Sequence, residues 1–232
     1  MNKKYKHVFF DLDHTLWDFD KNSSETLSEL FDYYGLQQKL HCNLDDFLNQ
    51  YAEINLQLWH LYDLGKISKQ DLRLKRFHQL FQLNKYYNNA LATTIDEKYI
   101  QICPEKSHLI DGAIEILNDL KDKYTLHIIT NGFEETQYRK LKSSKLITYF
   151  DTITTSENAQ ASKPQRSIFN YALKKASANY KESIMIGDNL KTDIQGSKNI
   201  GMDQVYFNAK KRVHNHKSTY EIFHLSELKN IL

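Results

Sequence analysis

Val8-Phe9-Phe10-Asp11-Leu12-Asp13-His14-Thr15-Leu16 is the segment from which the rest of the chain can be organised. Its apolar run is short and stops at a carboxylate, as expected for a strand that is buried on both faces and ends at Asp11. Four more such runs follow: Leu126 to Thr130, Thr152 to Thr155, Ser183 to Gly187 and Val205 to Phe207. Between them the spacing predicts helices over Gly112 to Lys123, Glu134 to Ser144, Gln165 to Ala176 and Lys191 to Asn199. Strand alternating with helix implies an α/β domain built on a parallel sheet with helices on both faces.

The stretch from Trp17 to Pro104 has a different pattern. Leu27, Leu30, Phe31 and Tyr34 predict a helix behind a polar start at Asn22 to Ser24, ended by Gly35. Phe47, Tyr51, Ile54, Leu58 and Leu61 predict a second, ending near Gly65. Ser68 and Asp71 form a capping-box pattern before Leu72, Phe77, Leu80 and Phe81. Leu91, Ile95 and Ile102 predict a fourth, closed by Cys103-Pro104. The expected organisation is therefore a core of residues 1–16 and 105–232 with an inserted α-helical domain at 17–104.

Composition narrows the class. The 232 residues carry 31 basic and 29 acidic side chains, a balance that gives no reason to expect nucleic-acid or membrane binding. Cys42 and Cys103 are the only cysteines and lie far apart, so neither a disulfide framework nor a thiolate metal site is expected. The amino-terminal apolar run is broken at once by Asp11, which fits neither a signal peptide nor a membrane span, and a cytoplasmic protein is expected. Lys210-Lys211-Arg212-Val213-His214-Asn215-His216-Lys217, the one basic run, reads as a solvated loop.

Asp11 and Asp13 are two carboxylates placed directly after a buried strand. A bare Asp-x-Asp is not diagnostic, since aspartate recurs in turns and caps. Its place matters more, because ligands of open α/β sheets bind outside the carboxyl ends of the strands. Two carboxylates there can divide labour between attack and proton transfer. Gly187-Asp188-Asn189 ends another strand, with Asp193 five residues beyond Asp188. Asp188 there is either a ligand for a hard divalent cation or a helix cap. Asp193 fits second-tier support of such a site or an ordinary acid in a first helical turn. Thr130-Asn131-Gly132 offers a hydroxyl and successive backbone N–H groups to a phosphoryl oxygen. Lys163, before Pro164, is either a charge-neutralising cation or a surface lysine at a helix start. The coincidence of these clusters at strand ends is more informative than any one of them.

Together, Phe9 to Leu16, Ile129-Thr130-Asn131-Gly132, Lys163-Pro164 and Gly187-Asp188 with Asp193 resemble, in order and spacing, the four motifs of the haloacid dehalogenase superfamily of phosphohydrolases. The resemblance covers nearly the whole chain and implies a Rossmann-like core with an α-helical cap. By position it implies that Asp11 is the nucleophile forming an aspartyl phosphate and that Asp13 is the acid/base. It further implies that Asp11, the Asp13 backbone carbonyl and Asp188 hold Mg²⁺, and that Thr130, the Asn131 backbone and Lys163 hold the transferring group. Asp13 speaks against a dehalogenase, which needs no proton donor. His14 stands where sugar phosphomutases typically carry glycine. A non-enzymatic phospho-acceptor switch would be shorter, with its aspartate on a middle strand. Thr15-Leu16-Trp17-Asp18-Phe19, Gly65 to Ser68, Arg73 to Phe77 and Val205 to Asn208 are similar to a pyrimidine 5′-nucleotidase subgroup. The expected partner is thus a small phosphorylated metabolite, a nucleotide in the first instance and a sugar phosphate as the alternative.

Overall fold

The computed structural model describes residues 5–232. Six strands form one parallel sheet in the order β3-β2-β1-β4-β5-β6. These are β1 (His7–Phe10), β2 (Thr125–Thr130), β3 (Thr152–Thr155), β4 (Ser183–Gly187), β5 (Asp203–Phe207) and β6 (Tyr220–Ile222). Val8, Phe9 and Phe10 are all buried although neighbouring side chains point to opposite faces, so both faces of β1 are covered. The α/β expectation holds, and the short edge strand β6 is an addition to it. The chain leaves β1 towards β2 and β3, then returns to the other side of β1 for β4 to β6. The order therefore reverses between β1 and β4, and it is outside the carboxyl ends of the strands at such a switch point that open α/β sheets bind their ligands.

By compactness the chain divides into Met1–Phe19 with Ser107–Leu232, and Asp20–Lys106. The second unit is helical: α1 (Phe19–Tyr33), α2 (Leu36–Leu40), α3 (Leu44–Asp63), α4 (Lys69–Leu83) and α5 (Asn89–Ile102). Its core is the periodic apolar set, with the Phe31 and Phe47 ring centroids 5.0 Å apart and Tyr51 at 5.4 Å from both Phe77 and Tyr99. Ser68 and Asp71 form the expected capping box of α4. The expected start of α1 is not observed: the helix begins at Phe19, and Asn22 and Ser23 lie inside it, buried. Ser23 meets the Tyr99 hydroxyl at 2.9 Å and so spends its polar group on packing and not on a cap. Arg76 and Asp96 form a buried ion pair at 2.9 Å.

In the first unit the helices are α6 (Ala113–Lys121), α7 (Glu134–Ser143), α8 (Ser156–Ala159), α9 (Arg166–Lys175) and α10 (Gln195–Asn199). One face of the sheet meets α9, where Phe9, Ile129, Met185 and Met202 pack with Ile168, Phe169 and Ala172. A Cβ at Gly196 would collide with the Phe169 ring, so glycine allows α10 to approach α9 closely. Among the described residues no helix is long and apolar enough to cross a membrane. Phe169→Ala should lower the free energy of unfolding by about 3–5 kcal/mol, read as a lower urea midpoint. An unchanged midpoint would mean that this face does not stabilise the sheet.

Candidate active site

β1 delivers Asp11 to the switch point of the sheet, and the strand pairing continues one residue past its end through the Asp11 N–H to the Ile186 carbonyl, 2.9 Å. Lys163 reaches the same place from the loop before α9. Its Nζ lies 2.6 Å from Asp11 Oδ1 and 2.6 Å from Asp193 Oδ1, and donates to the Ile129 carbonyl at 2.9 Å. This lysine is buried, so the surface reading of it is set aside. Asn131 holds the Lys163 backbone at both polar groups: its Oδ1 accepts from the Lys163 N–H at 2.8 Å and its Nδ2 donates to the Lys163 carbonyl at 3.1 Å. The Asn131 side chain thus fixes the lysine loop, a contact invisible in the spacing.

The turn after β4 places the other acids. The expected helix over Lys191 to Asn199 is instead a wide π-type turn, Leu190–Ile194, followed by α10. Asn189 accepts from the N–H groups of Lys191 and Thr192, and Asp193 Oδ2 accepts from the Asn189 N–H at 3.0 Å. These side-chain bonds compete with a regular first turn and direct Asp193 inward. A Cβ at Gly187 would collide with the Asp193 carboxylate, which explains the glycine. Asp188 does not cap this turn, a role taken by Asn189. One oxygen from each of Asp11, Asp188 and Asp193 lies within 4.8 Å of the others.

Asp13 faces α7. Lys140 Nζ lies 2.6 Å from Asp13 Oδ1, and Gln137 Nε2 donates to Asp13 Oδ2 at 2.9 Å. The same Nε2 donates to Thr130 Oγ1 at 2.6 Å, and the Lys140 ammonium sits 4.4 Å from the Trp17 ring centroid. Sequence reasoning missed Gln137 and Lys140. A signal existed: Phe133, Gln137, Lys140 and Leu141 occupy i, i+4, i+7 and i+8, so two polar residues stand on the face that periodicity assigns to the core.

Electrostatics distinguishes the carboxylates. Burial pushes Asp11 up to about 7, with Lys163 opposing and Asp193 and Asp13 adding repulsion. Asp188 is raised well above the ordinary range by burial and by the negative charge of Asp11 and Asp193. Burial would raise Asp13 too, but the Lys140 charge and the bonds from Lys140 and Gln137 hold it below the ordinary value. Burial would likewise strip the proton from Lys163, yet Asp11 and Asp193 keep its pKa raised. Four carboxylates face two ammonium groups, so with every carboxylate ionised the formal balance would be 4 − 2 = 2 negative charges, the repulsion that raises Asp11 and Asp188 when no cation is bound. An oxygen-lined site with that excess fits a hard divalent cation such as Mg²⁺.

Residues 8–207 match the family model for haloacid dehalogenase-like hydrolases. The chain belongs to this family. It is 33% identical to the HAD-hydrolase YfnB of Bacillus subtilis, over 99% of this chain and 96% of that protein. The crystal structure of YfnB bound to magnesium has a TM-score of 0.89 to this chain, covering 99% of each. The pyrimidine 5′-nucleotidases PynA of Streptococcus pneumoniae and YjjG of Escherichia coli are 32% and 31% identical, over 98% and 99% of this chain and 97% and 98% of theirs.

The carboxylate shifts fix a sign for stability against pH in chelator. Asp11 binds its proton more tightly folded than unfolded, so between about 4 and 7 the native state holds more protons and stability falls as pH rises. Asp188, also raised, adds to this slope, whereas Asp13, held low, tilts the other way near the acid end and His127, lowered to about 4 by burial, does so above it. The urea midpoint of wild type minus that of Asp11→Asn, both in EDTA, should therefore decrease from pH 4 to 7. A flat or rising difference would contradict the buried, repelled state of Asp11.

Proposed function

We propose that this phosphatase hydrolyses phosphomonoesters through an aspartyl phosphate on Asp11, that it requires Mg²⁺, and that it acts on nucleoside 5′-monophosphates with pyrimidines preferred. The observation that carries this reading is the Asp11 carboxylate at the sheet's switch point, 2.6 Å from a buried Lys163 and two residues from an independently anchored Asp13. The full-length likeness to two pyrimidine 5′-nucleotidases supports the nucleotide.

Asp11 attacks phosphorus, the bond from phosphorus to the ester oxygen breaks, and Asp13 gives its proton to the departing oxygen. Water then attacks the aspartyl phosphate while Asp13 takes a proton back, which releases phosphate and restores Asp11. The low proton affinity of free Asp13 suits the second step. For the first, the negative charge of an arriving phosphate monoester raises that affinity. Lys163 neutralises the attacking carboxylate and an equatorial phosphoryl oxygen, while Thr130 and the Asn131 backbone contribute donors, as positioning and charge stabilisation dominate phosphoryl transfer. Asp11 and Asp188, with the Asp13 backbone carbonyl, would hold Mg²⁺, which supplies Lewis-acid neutralisation of the phosphoryl oxygens. Asp193, with one oxygen on Lys163 and the other on the Asn189 N–H, supports that group.

We assign substrate preference to the helical unit, the cap of the sequence expectation. Six of its twelve Phe, Tyr and Trp rings are core, whereas Trp59 and Tyr62 are only half-buried, ring centroids 5.7 Å apart, and are the first to test. Leucine at either position should change the ranking of nucleotide over sugar phosphates more than turnover of a small generic ester. An unchanged ranking in folded variants would remove these two residues from the proposal. For the chemistry, Asp11→Asn should reduce kcat on the order of 10⁴-fold or more in a protein that unfolds at a wild-type-like temperature. EDTA should abolish wild-type activity and Mg²⁺ restore it, and Asp188→Ala should raise the Mg²⁺ needed for half-activity more than about tenfold. Full activity in chelator, or an unaltered Mg²⁺ requirement in Asp188→Ala, would refute the metal assignment.

A further inference from the structure

We infer that Gln137 is a positioning residue that sets the polarity of the Thr130 hydroxyl, leaving its proton as a donor committed to the phosphoryl group. The inference rests on the phosphohydrolase reading above and assigns a role to a residue outside the four motifs.

Asp13 fixes the orientation of the Gln137 amide. Its carboxylate pairs with Lys140 through Oδ1 and is therefore an acceptor at Oδ2. The group 2.9 Å from that Oδ2 must then be the NH₂ of Gln137 and not its carbonyl. Gln137 Oε1 is buried without a hydrogen-bond partner among the described residues, so the orientation of the amide is dictated wholly by its NH₂ side. An NH₂ group carries two hydrogens. One goes to Asp13 and the other to Thr130 Oγ1 at 2.6 Å, which makes Thr130 an acceptor in that bond. The Gly132 N–H fills a second acceptor position on the same oxygen at 3.1 Å. A threonine hydroxyl has two acceptor lone pairs and one proton. Both lone pairs are occupied, so the only bond left to Thr130 is one that it donates.

Thr130 is the last residue of β2, beside Asp11 in the sheet order, where the transferring group lies in the proposed reaction. A hydroxyl free to rotate would face two acceptors there, the phosphoryl oxygens and its own surroundings. A hydroxyl preset as a donor needs no reorientation when substrate arrives, the condition under which a single donor is most effective. Gly132 belongs to the same arrangement, because a Cβ there would collide with the Gln137 amide. Lys140 holds Asp13 by the other oxygen, so the acid/base remains anchored when Gln137 is changed.

The test is a double-mutant cycle on a generic phosphomonoester with Mg²⁺ present, using Gln137→Met, Gln137→Glu and Thr130→Val. Methionine removes the donor and keeps the bulk. Glutamate reverses the polarity, forcing Thr130 to donate into the helix. Repulsion between the new carboxylate and Asp13 is common to both Thr130 backgrounds and cancels in the cycle. The expected result is that Thr130→Val lowers kcat about 10²-fold and that Gln137→Glu falls at least about tenfold below Gln137→Met when Thr130 is present. In the Thr130→Val background that ratio should shrink to about threefold or less. A residue that merely fills space would leave the ratio equal in both backgrounds, because the repulsion from Asp13 is present in each, and that outcome overturns the inference. If Gln137→Glu does not fold, as judged by its melting transition, the cycle of Gln137→Met with Thr130→Val decides: additive losses overturn the proposal and sub-additive losses support it. If Thr130→Val costs nothing, the assignment of Thr130 to the phosphoryl group fails, a result distinct from failure of the Gln137 role.

Discussion

The ammonium of Lys163 is the contact on which the site depends. It is buried, lies 2.6 Å from Asp11 and from Asp193, and donates to the Ile129 carbonyl. It thereby joins the ends of β1 and β2 to the turn after β4. A charge in that position is tolerable only when paired, and removing one partner leaves an uncompensated buried ion. The surrounding sequence follows from this. Asn131 clamps the lysine backbone, Gly187 makes room for the Asp193 carboxylate, and the wide turn at Leu190–Ile194 brings that carboxylate inward.

The parallel sheet supplies the place where such a cluster can form. The strand order reverses between β1 and β4, the switch point at which open α/β sheets bind their ligands, and Asp11 and Asp188 follow the carboxyl ends of those two strands. Side chains with opposed proton affinities, a raised Asp11 and a lowered Asp13, then stand two residues apart. Such a divergence marks a division of roles between carboxylates. Its cause here is physical: Asp11 shares one lysine with Asp193, while Asp13 has the Lys140 ammonium to itself and a bond from the Gln137 amide besides.

Much of this was legible in the chain. Strands buried on both faces read as short apolar runs, so Val8 to Phe10 and Ser183 to Gly187 could be placed, and with them Asp11 and Asp188. The helices of the insertion followed from spacing and from the Ser68 and Asp71 cap. What escaped was set by tertiary partners. Asn22 and Ser23 look like a helix start, yet they are interior, because Tyr99 offers Ser23 a buried partner. Gln137 and Lys140 look like the polar face of a surface helix until Asp13 is seen opposite them. The turn at Leu190–Ile194 resembles an ordinary helix because its departure is caused by side-chain bonds of Asn189 and Asp193. β6 is a three-residue edge strand, too short to show an alternation.

The central claim is that Asp11 carries the phosphoryl group between the two half-reactions. Borohydride added during steady turnover reduces an acyl phosphate to the alcohol, so peptide mass spectrometry should find residue 11 converted to homoserine only when substrate and Mg²⁺ are both present. Conversion at another aspartate, or continued turnover with residue 11 unmodified at every time of quenching, would contradict the account.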